Sequence, residues 1–194
     1  RSSSKPLRAS MPRSERKPTV IICGLAGAGK STAATLIGER FKLKHVSAGD
    51  QFRAVAKERG MSLIDLGRYA AKHPEFDKEL DRGMMAHARK GGVVLDGRAS
   101  AYLARKMRIP ALKIFLTVDP KISAERVAQR DGISPAEALA ASRQREREIA
   151  KRLKALYGLD TSSPAYYDAV IQTDRYQPEE VLELIASLVT YERH

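Results

Sequence analysis

Short apolar runs alternate with amphipathic segments along the chain from residue 19 onward. Thr19–Cys23 and Leu112–Val118 are rich in β-branched residues and are typical of buried strands. Lys44–Ser47, Val93–Asp96 and Tyr167–Thr173 are predicted to be three further strands. Nearly continuous apolar strands that alternate with helices indicate a parallel sheet covered on both faces. The predicted fold class is therefore α/β.

The helical segments that join these strands include one long insertion. Residues 61–90 hold two helical patterns separated at Pro74, which is too much chain for a simple crossover and predicts an inserted lobe. Ser47 or Asp50 is placed to cap a helix that runs to about Arg59. Further helices are predicted at Lys30–Phe41, up to about Met107, from Pro120 to about Arg130, over Ala136–Tyr157 and from Pro178 onward.

A glycine-rich loop lies between the first predicted strand and the first predicted helix. Its residues match G-x-x-x-x-G-K-[ST] and are Gly24, Leu25, Ala26, Gly27, Ala28, Gly29, Lys30 and Ser31, followed by Thr32. Glycines let backbone N–H groups turn around phosphate oxygens, and the following helix points its positive end at the same anion. Lys30 adds a charge for the β- and γ-phosphates, and the Ser31 hydroxyl can ligate Mg²⁺. The loop predicts a site for the phosphates of ATP.

Three other segments follow predicted strands, and the carboxyl ends of parallel strands share one edge. The segments are 47–53, 96–98 and 173–175. Asp96 ends its strand where a carboxylate would hold Mg²⁺ together with Ser31. The candidate residues for the acceptor are Ser47, Asp50, Arg53, Gly97 and Arg98, and those for the far end of ATP are Thr173 and Arg175.

Four arginines on the later helices are candidates for catalysis. Arg126 and Arg130 share a helix face, and so do Arg145 and Arg152, which are seven residues apart. On a mobile segment such residues could neutralise charge that develops on phosphates and exclude water. The alternative is a solvated helix on which Glu146 and its neighbours pair with arginine and lysine.

Composition bounds the function further. The net charge is +12, of which residues 1–18 carry +5 with six basic residues against one acid, so this segment is predicted to be a disordered basic tail. A basic surface suits an anionic small molecule or RNA, but aromatic residues make up only 6% of the chain, so no stable nucleic-acid partner is expected. Cys23 is the single cysteine and no apolar run could span a bilayer, which favours a cytoplasmic protein without a membrane partner.

Together these motifs resemble those of nucleoside monophosphate kinases, and within them the short archaeal-type cytidylate kinases. The resemblance extends over residues 19–190. It rests on Gly24–Ser31, Lys44–Asp50 with Phe52 and Arg53, Ala56–Ser62, Asp96–Arg98, Ala124–Arg126 with Arg130, and Ala150–Arg152 leading to Tyr157 and Gly158.

The resemblance implies a P-loop kinase with a three-layer sandwich and a five-stranded parallel sheet in the order 2-3-1-4-5. It further implies a nucleoside-monophosphate-binding (NMP) lobe at about 61–90 and a LID at about 131–158, within one domain over 19–194. The implied reaction is phosphoryl transfer from ATP to CMP or dCMP, with Mg²⁺. By the same resemblance, Arg53 and Arg98 would hold the acceptor phosphate, Arg126 or Arg130 would lie by the adenine or phosphates, and Arg145 and Arg152 would be LID arginines. A monomer is expected because the closing lobes belong to one chain.

One position departs from the family pattern. Family members usually carry an acid four residues after the first LID arginine, and that position is Ile149 here, with an acid at Glu148 instead. A one-residue shift turns a side chain by about 100° around a helix, so the choice of base is open. The alternatives are an adenylate kinase or other nucleoside monophosphate kinase, a shikimate- or gluconate-type kinase, and a P-loop ATPase that binds RNA or the ribosome.

Overall fold

The computed structural model describes residues 17–160 and 163–191. Most of the predicted basic tail, residues 1–16, therefore lies outside the described residues. The strands are β1 (Thr19–Gly24), β2 (Lys44–Ser47), β3 (Val93–Asp96), β4 (Leu112–Thr117) and β5 (Ala169–Gln172). They form one parallel sheet in the order β2-β3-β1-β4-β5. The predicted α/β class and strand order are confirmed, and the last strand is shorter at both ends than predicted.

The helices also agree with the pattern of apolar positions. They are α1 (Lys30–Phe41), α2 (Ala48–Glu58), α3 (Leu63–Lys72), α4 (Pro74–Lys90), α5 (Ser100–Lys106), α6 (Pro120–Asp131), α7 (Pro135–Tyr157) and α8 (Pro178–Tyr191). Ser134 and Glu137 form a reciprocal capping box that starts α7. The insertion between β2 and β3 contains α3 and α4, and α7 is one continuous helix of 23 residues. None of the described helices is long and apolar enough to cross a membrane.

Alternate side chains of the central strand enter two separate cores. Val20 and Ile22 pack on the side of α1 and α8, whereas Ile21 and Cys23 pack on the side of α4 and α5. All four are fully buried. Burial on both faces explains why the strand is apolar at every position, and it gives the chain three layers.

The register of the sheet brings the site together. In the ladders, Asp96 lies opposite Ile22 of β1 on one side and Ser47 of β2 on the other. The chain turns from each of these strands into a loop or helix at the same edge. This edge therefore collects the glycine-rich loop, the start of α2 and the segment after β3.

Candidate active site

The glycine-rich loop has a backbone that only glycine permits at its critical points. Gly24 has a φ of +149°, and a Cβ there would lie 2.2 Å from the carbonyl oxygen of Leu116. Gly29 adopts the left-handed conformation at the start of α1, where no side chain of the described residues caps the helix. The first N–H groups of α1 can therefore donate to an anion.

Lys30, Ser31 and Asp96 meet beside this loop. The Lys30 ammonium donates to the carbonyl oxygen of Leu25 within the loop at 2.6 Å. Burial of that ammonium, followed by the positive charge of Arg98, lowers the pKa of Lys30 to about 8. The Ser31 hydroxyl donates to Asp96 Oδ2 at 2.8 Å, and Asp96 is buried at the end of β3. The structure thus brings the two predicted metal ligands together.

Three of the predicted arginines converge on the other side of the cleft. Arg98 is largely buried, and Arg53 lies over the start of α2, where it pairs with Asp50 at 2.5 Å. Partial burial, then the charges of Arg98 and Arg53, lower the pKa of Arg145. The charges of Arg98 and Arg53 thus act on Arg145, so the three guanidinium groups lie within range of mutual repulsion. The chemistry of such a cluster suits a phosphate dianion.

Glu146 joins the two sides of the cleft and was not among the predicted site residues. Its carboxylate accepts from the backbone N–H of Ala26 at 3.0 Å and from Arg98 Nη2 at 2.7 Å, with a second contact to Arg98 Nη1. Burial acts to raise the pKa of Glu146, but the bonds and charge of Arg98 bring it below its ordinary value. A carboxylate thus lies among donors that suit phosphate. In the sequence, the one sign of this role is that Glu146 directly follows Arg145, and that position is equally typical of a surface ion pair.

Arg126 links the glycine-rich loop to the segment after β5. Its guanidinium donates to Thr173 Oγ1 at 3.2 Å, to the Thr173 carbonyl at 3.3 Å and to the Gly27 carbonyl at 3.3 Å. Thr173 is buried and Arg175 is exposed. Arg130 instead pairs with its neighbour Asp131 at 2.6 Å on the surface. Of these residues, the structure brings Arg126 and Thr173 to the loop.

Two predicted acceptor residues shape the site through the backbone. Ser47 is buried and its hydroxyl caps α2 by accepting from the Asp50 N–H at 3.2 Å. Gly97 is packed so closely that a Cβ would lie 2.7 Å from Ser100 Oγ. Both residues fix the positions of α2 and of Arg98, which follows Gly97.

Arg152 lies apart from Arg145, the other predicted LID arginine, in a cavity of about 510 Å³ between α3, α4 and α7. Its Nε lies 3.0 Å from Asp77 Oδ2 of α4, and its guanidinium is 5.8 Å from the ring centre of Phe52. Arg145 and Arg152 thus occupy different parts of the cleft wall, although they share a helix face. Residues seven apart are two turns, or about 10 Å, apart along a helix, so a shared face does not bring both arginines to one group of a ligand.

The family departure at Ile149 has a structural counterpart. Ile149 packs against the core beneath α4 and α5. Glu148 lines the cavity that contains Arg152, and its carboxylate accepts from Gln144 at 3.0 Å. Glu148 therefore faces the cavity, whereas Ile149, at the position of the family acid, faces the core.

A family model and the curated relatives indicate one family for the chain, and a comparison with solved structures shows the fold. Residues 84–175 match the model of the cytidylate kinase-like family. The chain is 39% identical to a cytidylate kinase of Pyrococcus horikoshii over 90% of each protein. It is 38% identical to a cytidylate kinase of Methanocaldococcus jannaschii over 88% of this chain and 96% of the relative. The chain belongs to the cytidylate kinase-like family. Among solved structures, a shikimate kinase from Bacteroides thetaiotaomicron shares the fold, with a TM-score of 0.59 at 15% identity over 89% of this chain and 98% of that one.

Proposed function

We propose that the protein transfers the γ-phosphoryl group of ATP to a nucleoside monophosphate, with CMP or dCMP as the acceptor. The observation that carries this proposal is the pair of anion sites that share one cleft. The glycine-rich loop with Lys30 forms one site, and Arg53, Arg98 and Arg145 form the other. Two facing phosphate sites suit a transferase with two phosphorylated substrates, and the curated relatives are cytidylate kinases.

The donor side suits ATP with Mg²⁺. The residues of the loop from Gly24 to Thr32 would cradle its phosphates, and Arg126 with Thr173 and Arg175 would border its adenine. Mg²⁺ is usually held by one or two carboxylates, with water and substrate phosphates completing the shell. The Ser31 hydroxyl and the Asp96 carboxylate, 2.8 Å apart, fit that donor set. Bound Mg²⁺ would neutralise phosphate charge.

The acceptor side would place a monophosphate on Arg53 and Arg98, beside Ser47, Asp50 and Gly97. Its nucleoside would extend into the cavity between α3, α4 and α7, which Arg152 lines. Residues 61–90 then serve as the NMP lobe and residues 131–158 as the LID.

Catalysis in this cleft would depend on position and charge. A phosphate oxygen of the acceptor is already a nucleophile, so no side chain has to act as a strong base. Lys30 and Arg145 would stabilise the charge on the transferred group, with Arg126 contributing from α6. Arg130 would contribute once it leaves its pair with Asp131. Closure of α7 would exclude water that otherwise competes as the acceptor.

AMP is a second candidate acceptor, because the family acid that helps to recognise cytosine is replaced by Ile149, an apolar side chain that is partly buried against the core. A coupled assay of ADP formation with ATP and Mg²⁺ over CMP, dCMP, UMP, AMP and GMP tests both. We expect the highest kcat/KM with CMP or dCMP. No activity on any of the five, or ATP hydrolysis that ignores them and responds to RNA, would overturn the proposal.

We further propose that the enzyme acts as a monomer in the cytoplasm. Both sides of the cleft come from one chain, and the buried Cys23 is the only cysteine. Sedimentation at working concentration with and without nucleotides tests the monomer.

A further inference from the structure

We infer that Asp77 is a positioning residue for the acceptor, which holds the Arg152 guanidinium at the wall of the nucleoside cavity. The inference rests on the proposed function and names a part of the acceptor site that lies outside the phosphate-binding arginines. It concerns how the NMP lobe and the LID cooperate, because Asp77 belongs to α4 and Arg152 to α7.

The two side chains form an ion pair that is shielded from water. The Arg152 side chain is 18% exposed and that of Asp77 is 11% exposed. Burial raises the pKa of Asp77, and the charge of Arg152 opposes that rise. Neither Asp77 Oδ2 nor Arg152 Nε has an aligned hydrogen bond within the described residues. Burying an ion pair without aligned hydrogen bonds destabilises the folded state, so a contribution to stability does not explain why the pair is there.

The contacts around Arg152 determine what it can still bind. Asp77 engages Nε, the nitrogen next to the aliphatic stem, so Nη1 and Nη2 are the donors that can reach a ligand. The ring of Phe52 lies on one side, and Gly67 of α3 is close enough that a Cβ there would be 3.7 Å from Nη1. A planar fork with two terminal donors suits the oxygen and nitrogen acceptors of a nucleobase.

Asp77 offsets the positive charges that surround Arg152 in the cavity. Arg68, Lys78 and Lys151 line the same cavity, with Glu148 as the other acid. Without Asp77, Arg152 would be a buried cation among further cations, and its long side chain would turn toward solvent. The base would then lose its donors, whereas the phosphate sites at Arg98 and Lys30 would be unaffected.

The chain offers a matched control one turn along the same helix. Asp81 is also on α4 and also contacts α7, where its Oδ2 accepts from the Tyr157 hydroxyl at 2.7 Å. Burial is the largest cause of its raised pKa, about 6. Asp81 does not line the cavity of Arg152. Asp81→Asn keeps an acceptor for Tyr157 and removes a buried charge, so it changes the α4–α7 interface and a through-space attraction to Arg152 while the direct contact of Asp77 with Arg152 Nε stays in place.

The experiment measures KM and kcat for CMP and ATP in the wild type, Asp77→Asn, Asp81→Asn, Arg152→Gln and the double variant of residues 77 and 152. We expect Asp77→Asn to raise the KM for CMP about 10-fold or more, with the KM for ATP unchanged. Asp81→Asn should keep both values. In the Arg152→Gln background, Asp77→Asn should add little, because its target is gone.

Two results would overturn the positioning role: equal effects of Asp77→Asn and Asp81→Asn, or additive effects in the double variant. If the wild type phosphorylates CMP and Asp77→Asn has the same KM for CMP as the wild type, this inference is wrong and the proposed function stands. If no turnover is detected, calorimetry measures the binding of CMP to the folded variants instead. A wild type that neither phosphorylates nor binds CMP overturns both proposals.

Discussion

The donor and acceptor sides of the cleft are built in different ways. The donor side is a backbone structure, in which a contiguous loop of eight residues folds around the place of a phosphate and needs three glycines with positive φ to do so. The acceptor side is made of side chains from separate elements, with Arg53 on α2, Arg98 after β3 and Arg145 on α7. Backbone donors are fixed once the fold forms, whereas side-chain donors depend on their partners.

This difference assigns separate roles to the two sides. The donor side binds an anion common to all nucleotides, so local geometry is enough. In the proposed function the acceptor side has to select a substrate, and selection would depend on pairs such as Asp77 with Arg152, which joins α4 to α7. Substitutions on the donor side should therefore affect all acceptors equally, and those on the acceptor side should discriminate among them.

The largest effect is expected from Lys30→Ala. Removal of the ammonium takes away a charge directed at the transferred phosphoryl group, and loss of one such donor lowers kcat by about 10³-fold. The fall should be the same for every acceptor that the wild type uses, as measured by initial rates. Lys121→Ala, on an exposed position of α6, is the control and should retain wild-type rates. A reduction confined to one acceptor would contradict the division of the cleft.

The second prediction concerns stability. Gly24→Ala places a Cβ against the carbonyl oxygen of Leu116 at a φ that favours glycine, and we expect unfolding in denaturant to show a loss of about 3 kcal/mol. Gly83→Ala is the matched control, since Gly83 lies on the exposed side of α4 with open space around it. That change should raise stability by about 0.5–1 kcal/mol through helix propensity. Equal stability of both variants would mean that the loop tolerates a side chain.

The same difference explains what could be predicted from the sequence. The strands and the P-loop were predictable because the pattern that defines them is local, and the sheet order followed from the resemblance. The pairing of Arg152 with Asp77 was not predictable, since it depends on how α4 packs beside α7. For Glu146 the sequence offers only the alternative of a partner for arginine and lysine on a solvated helix, because helical spacing does not show that the glycine-rich loop lies across from it. Local patterns are thus enough to predict the proposed donor side, whereas the arrangement of the proposed acceptor side depends on tertiary contacts.

The pH dependence of ATP binding provides a smaller effect on the donor side. Lys30 in the free protein has a pKa of about 8, and bound phosphates would stabilise its charged form and raise that pKa. Binding then takes up a proton above pH 8, so the Kd for ATP should rise by up to about 10-fold per pH unit from there. It should be flat below pH 8, where Lys30 is already charged. Calorimetry between pH 7 and 9.5 measures this, and Lys30→Arg should remove the dependence because arginine stays protonated.

Glu146→Gln gives the smallest expected effect and tests the residue that joins the two sides. The carboxylate holds the Ala26 N–H and Arg98, donors that an incoming phosphate also needs, so ATP has to displace it. Gln keeps the shape but accepts more weakly and carries no charge, so displacement becomes easier and the Kd for ATP should fall about 5-fold. Glu79→Gln, on an exposed position of α4, removes one charge elsewhere and serves as the control in the same calorimetric titration. Weaker binding by Glu146→Gln would mean that the carboxylate organises Arg98 for the nucleotide instead of competing with it, and the two sides would then stay joined when the nucleotide binds.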